Sequence, residues 1–160
     1  MNLIPNLPPQ ITIFITSMIP LIELRGSIPL GFFFGLAPET IYLLTVIGSL
    51  IPAFFILLLL NPISNFLMKH FEICNKFFTK LFANTREKHT DAIIKYGPIF
   101  LVVFVAIPLP GSGAWTGSLL AFLFDIKYWQ AISLIAIGLA ISGLIMIGLS
   151  IAGIELFHLI

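Results

Sequence analysis

From Ile41 to Leu60 the chain runs for 20 residues without a charge. As a helix rising 1.5 Å per residue, such a run crosses the ~30 Å hydrocarbon layer of a bilayer. A second uncharged run extends from Ala131 to Ala152. Hydrophobic residues make up 59% of the chain, charged residues 9%, and there are 16 phenylalanines in 160 positions. No single small soluble core hides that much apolar surface, so the expected solvent is lipid. The N-terminal MNLIPNLPPQ lacks the basic start and small-residue cleavage site of a secretory signal, so its apolar region is expected to be retained.

The net charge of +1 says little, but its placement says more. Six of the eight basic residues, Lys69, Lys76, Lys80, Arg86, Lys88 and Lys95, fall in one segment between the two apolar halves. By the positive-inside rule that segment is cytoplasmic. Ile63, Phe66, Leu67, Phe71, Cys74, Phe77, Phe78, Leu81 and Phe82 recur within it at three- and four-residue spacing, with Lys69, Glu72, Lys76 and Lys80 on the other face. This pattern predicts that the cytoplasmic linker over 61–96 opens with an amphipathic interfacial helix ending near Asn84 and Thr85, followed by a short polar helix, a partner-protein groove being the other use of such a face.

Each half repeats one order. The first half (1–60) reads as an apolar hairpin over 11–36, broken around Glu23 to Pro29, followed by a spanning helix over 39–60. The second half (97–160) reads as a hairpin over 98–124, broken at PLPGSGAWTG from Pro108 to Gly117, followed by a spanning helix over 128–152. An offset of 88 places Pro20 on Pro108 and Phe34 on Phe122. Arms of roughly 9 to 12 residues reach about halfway through the hydrocarbon layer, so each hairpin suits a re-entrant loop. Non-helical backbone at such a break must be buried against protein or line a wet cavity. With the linker inside, the first spanning helix runs inward and the second outward, which inverts the halves. The expected fold is therefore an all-α integral membrane protein of two inverted repeats, each a re-entrant helical hairpin followed by a transmembrane helix. Inverted repeats with broken helices hold substrate at their interface. The alternative is four kinked full spans with parallel halves.

Glu23 and Arg25 are the charges that apolar surroundings do not explain. One charge at the bilayer centre costs about 2.5 to 3.5 kcal/mol on insertion scales, so an intramembrane pair is a functional candidate by default. Two apart, they point to different sides of a regular helix, and a bend at Gly26 and Pro29 is expected to bring them to one cavity. Glu23 is the candidate proton-exchanging or cation-recognising carboxylate, and Arg25 its tuning partner or the grip on an anionic head group. A structural ion pair at the hairpin tip is the plainer reading. In the second break, Pro108 and Pro110 remove amide donors, Gly111 and Gly113 permit close approach, and Ser112, Trp115, Thr116 and Gly117 stand beside freed carbonyls that suit an ion. Packing is the simpler role for the Gly31/Gly35 and Gly113/Gly117 pairs. Glu39 and Asp125 are read as helix caps.

Other chemistry is excluded or weak. Cys74 is the single cysteine, so no internal disulfide forms. His70 and Cys74 lie one turn apart but lack a third ligand, so no metal is expected. No histidine falls in a membrane arm and no serine has a base partner, which argues against an enzyme. The basic residues are accounted for by topology, so no nucleic acid is expected, and no cofactor is implied.

The runs ELRGSIPLG from Glu23 and IPLPGSGAWTGSLLA from Ile107 resemble the paired signatures of the small multidrug export proteins of bacteria and archaea, and more distantly the DedA/VTT membrane proteins. The resemblance implies a multi-pass protein of the plasma membrane that moves a small-molecule or lipid substrate, with protons as a coupling ion. By motif position it points to Glu23, Arg25, Gly26, Pro29, Pro108, Pro110, Gly111, Gly113, Trp115 and Gly117. A cavity built by so little protein is expected to be completed by a homo-oligomer. A lipid scramblase or flippase using the same groove, or a non-transporting membrane scaffold, are the other readings.

Overall fold

A computed structural model describes residues 7–70, 96–109 and 111–159. Among these residues there are helices and turns and no strand. Helix α1 is Pro9–Met18, α2 is Glu23–Phe33 and α3 is Pro38–His70. In the second half α4 is Tyr96–Ala106, α5 is Ala114–Leu123 and α6 is Tyr128–Leu159. Within α3 and α6, Pro38–Leu60 and Tyr128–Ile154 are long and apolar enough to cross a membrane. The other four helices hold about ten residues each, or roughly 15 Å.

Prolines decide where the hairpins turn. A residue before proline is pushed out of the α region, and Ile19, before Pro20, is extended with φ −77° and ψ 129°. α1 therefore stops at Met18. Ile107 precedes Pro108, and α4 stops at Ala106. The break in the first hairpin thus lies at 19–22, not around Glu23 to Pro29, and α2 continues through Gly26 and Pro29. Pro29 deprives the Arg25 carbonyl of its helical donor without ending the helix, as membrane helices tolerate.

Both hairpins end the same way. The Leu36 amide donates to Gly31 O and the Gly35 amide to Phe32 O, while Ile126 donates to Ala121 O and Asp125 to Phe122 O. This pair of bonds is a Schellman ending, which needs a left-handed residue after the helix. Gly35 supplies it at φ 70° and Asp125 at φ 54°. Asp125 therefore supplies the left-handed residue that ends α5, and Glu39 lies in the first turn of α3. The two endings are 90 residues apart, so Phe34 corresponds to Phe124 rather than Phe122; the second break is longer than the first and shifts the register by two.

The same offsets recur in the packing. Gly48 of α3 lies against Ser17 and the Phe14 carbonyl of α1; Gly138 of α6 lies against Val105 and the Val102 carbonyl of α4. Ile13, Leu24, Ile28 and Ile41 fill the first half of the core, and Leu101, Val105, Ile135 and Leu139 the second. α3 packs on α6 between them. Tyr42 donates to Ala140 O at 3.2 Å across that contact, and Tyr128 to Phe54 O at 3.5 Å. Outward-facing Leu43, Ile47, Phe55, Leu58, Leu144 and Leu149 leave both long helices apolar on their exposed sides.

α3 runs unbroken past Leu60 and Pro62 to His70, so the linker's start is continuous with the spanning helix. The predicted amphipathic face and Cys74 fall chiefly on 71–95, outside the described residues.

Candidate functional site

α2 begins with an unusual residue. Glu23 has φ 45°, a left-handed conformation that a residue with a side chain rarely takes, and its amide still bonds Ile19 O at 2.9 Å. This conformation, and not a bend at Gly26 and Pro29, turns the Glu23 carboxylate toward Arg25. Arg25 Nη1 donates to Glu23 Oε2 at 3.1 Å. Glu23 is 3% exposed, so the pair is made in the interior.

The rest of the arrangement comes from the second half. Glu23 Oε1 accepts from the Trp115 amide at 3.4 Å, and the Ala114 amide also faces the carboxylate. The Glu23 carboxylate thus occupies the N-terminus of α5, where free amides and the helix dipole favour an anion. Gly113 precedes α5 and touches both carboxylate oxygens, so any side chain there collides with Glu23. Arg25 Nη2 crosses the same interface, donating to Ile107 O at 3.2 Å, Ser112 O at 2.9 Å and Ser112 Oγ at 3.0 Å. The Ser112 hydroxyl donates onward to Ile107 O or Leu109 O, at 2.6 and 2.9 Å.

A reciprocal contact runs the other way. The Trp115 indole Nε1 donates to Met18 O, the last residue of α1, at 3.3 Å. Arg25 and Trp115 are 90 residues apart, and each reaches the carbonyl at the end of the other hairpin's first arm. Glu23 and Gly113, also 90 apart, touch. Contacts that run both ways between the two breaks tie the hairpins to each other.

Glu23, Arg25, Ser112, Gly113 and Trp115 are therefore brought together. Thr116 hydrogen-bonds Gly111 O at the exposed edge of the break, and Gly111 holds φ 83° there. Gly117 is buried against Val105 and shapes the α4–α5 contact. Gly26 is exposed beside Ile22, Pro29 lines an apolar groove between α2 and α6, and Pro108 is half-buried where α4 ends. Pro110 lies outside the described residues.

Sequence reasoning missed Met18 and Ile107, which act only through their carbonyls. It also passed over buried hydroxyls in the first half: Thr16 Oγ1 lies 2.9 Å from Ser27 Oγ, and Ser49 donates to Ser17 O at 3.1 Å. No cluster of histidine, cysteine and acidic residues suited to a metal occurs among the described residues.

Residues 23–145 match the family model described as "Putative small multi-drug export protein". The chain belongs to that family. The match opens on Glu23, just after the first break, and takes in the second break together with Glu23, Arg25, Ser112, Gly113 and Trp115. The export-protein family and the two apolar helices agree on a membrane protein. The comparison with curated proteins finds no match, and neither does the comparison with solved structures.

Proposed function

We propose that the chain is a membrane exporter whose two halves are inverted repeats of broken helices, with substrate passing the interface between the two breaks. The observation that carries this reading is the clasp: Glu23 sits on the α5 N-terminus while Arg25 bridges it to Ile107 O and Ser112. The bonds that hold the ion pair also hold the hairpins together. Protonation of Glu23 removes the charge that attracts both Arg25 and the α5 amides, loosening one hairpin against the other. Proton uptake on one side and release on the other then couples the pH gradient to alternating exposure of the site. The short helical arms support re-entrant hairpins, and the basic linker supports a cytoplasmic site for the segment between the halves. On this topology the protein lies in the plasma membrane.

The test is proton movement in everted membrane vesicles. A panel of small molecules added after an imposed pH gradient is expected to dissipate it in vesicles carrying the wild-type protein. Glu23→Gln keeps the shape and removes the proton site, and is expected to lower that flux by at least about tenfold, typical of losing a proton-transfer group. Wild-type flux in Glu23→Gln sinks the reading. Gradient-independent movement of labelled lipid in reconstituted vesicles favours a scramblase instead.

A further inference from the structure

The second break is rich in acceptors and poor in donors. Pro108 and Pro110 bring no amide hydrogen, and the amides of Leu109 and Ser112 are spent within the break on Ile107 O and Leu109 O. What the break turns toward the interface is oxygen: Ile107 O, Ser112 O and Ser112 Oγ, joined by Glu23 Oε2. Four oxygens converge on one guanidinium, a cation already tethered to the protein. The α5 amides, the natural anion site nearby, are taken by Glu23. A second anion at this place finds only Arg25, and meets Glu23 as a like charge.

The other element is an apolar groove of about 690 Å³ between α2 and α6, within the size range of small-molecule pockets. Pro29, Phe32 and Phe33 line it from α2, and Met146, Leu149 and Gly153 from α6. On a helix, positions one and two turns on share a face, so Pro29, Phe32 and Phe33 continue the face that begins at Arg25. The groove and the oxygen cluster therefore flank the same stripe of α2, one apolar and the other acceptor-lined.

We propose that the site takes amphipathic organic cations, with the ligand's charged nitrogen exchanging with the Arg25 guanidinium on the Glu23, Ile107 and Ser112 oxygens and its apolar chain lying in the α2–α6 groove. This rests on the exporter reading and names its substrate class. Arg25 acts as a built-in competitor. One carboxylate balances one cation, so Arg25 spares the empty site a bare buried carboxylate, and when the ligand takes the oxygens the displaced guanidinium, which is partly exposed, turns out to water. N–H donors on the ligand replace those that Arg25 withdraws. Charge complementarity selects this occupant over an anionic lipid, and the elongated apolar groove selects an amphipath over a small inorganic cation.

The experiment is ligand titration in lipid nanodiscs, with Trp129→Phe leaving Trp115 as the single fluorescent reporter at the site. Decylguanidinium is the probe, and methylguanidinium and decanoate are the controls. Saturable change with decylguanidinium, weaker binding of methylguanidinium and none of decanoate are expected. Arg25→Ala removes the competitor and is expected to tighten decylguanidinium binding about tenfold, the scale of a charge-assisted hydrogen bond. Arg25→Gln serves the same comparison if the alanine variant does not fold. Glu23→Gln is expected to abolish saturable binding, and Gly153→Leu to weaken decylguanidinium while sparing methylguanidinium. Saturable decanoate binding lost in Arg25→Ala overturns the proposal and makes Arg25 an anion grip. Cation binding that weakens in both Arg25 variants overturns it as well. Transport separates the two readings: cation binding without flux counts against export alone, and Glu23-dependent flux of other compounds without cation binding counts against the substrate class alone.

Discussion

At the scale of single residues, the site turns on a side chain that is missing. Gly113 leaves the space that the Glu23 carboxylate fills, and Glu23 reaches it from a left-handed backbone. A strained residue of this kind costs roughly 1–3 kcal/mol and persists only when its surroundings over-determine it. Here the α5 amides and Arg25 are those surroundings. Gly113→Ala places a methyl group on the carboxylate and must push Glu23 off the α5 N-terminus. The expected result is flux reduced to the level of Glu23→Gln, with stability lowered by about 1–3 kcal/mol as for an overpacked core. Thermal unfolding alongside the vesicle assay checks it, and full activity in Gly113→Ala contradicts the assigned contact. The pairing of Glu23 with Arg25 and the PLPGSG segment was legible, because two charges and two prolines stand out in an apolar chain. The dihedral that makes the pairing possible was not, since it depends on the partner hairpin.

At the scale of elements, the chain carries its own control. Ser17, Thr45 and Ser49 of the first half correspond to Val105, Ile135 and Leu139 of the second, at the 88- and 90-residue offsets. All six are buried. Apolar residues thus serve the same contacts in the second half, and the hydroxyls of the first half are not required by helix packing as such. Thr16 and Ser27 are different, since their 2.9 Å contact ties α1 to α2. Thr16→Val leaves the buried Ser27 hydroxyl without that partner and is expected to cost about 1 kcal/mol, whereas Thr45→Val, whose hydroxyl bonds its own helix, is expected to be near neutral. Chemical unfolding of the two variants in detergent checks the contrast. Equal losses contradict it.

Helix ends were legible where proline acts on its predecessor. In SMIPLIELRGSIPLG, both Pro20 and Pro29 invite a break, and local propensity does not choose between them. Pro20 breaks the chain, with Ile19 held extended before it, while Pro29 rides the exposed side of α2 and the helix continues through it. The linker's division at Leu60 shows the opposite effect: Asn61-Pro62 marks a change of composition, yet α3 keeps its hydrogen-bonded course to His70.

At the scale of the whole molecule, two hairpins with arms of about ten residues meet through reciprocal contacts, and the long helices α3 and α6 pack on each other and on the hairpins. Reciprocal contacts of this kind are compatible with either direction of the second half, and membrane topology decides which one holds. If the halves are inverted, the turn before α3 and the turn before α6 lie on opposite sides of the membrane. Single cysteines at the exposed positions Ala37 and Lys127, in a Cys74→Ser background, report those sides by labelling with an impermeant maleimide. Labelling of Ala37→Cys in intact cells, with Lys127→Cys reached only after permeabilisation, is the predicted result. Labelling of both from the outside makes the halves parallel and removes the mid-membrane site that the Glu23–Arg25 clasp is proposed to form.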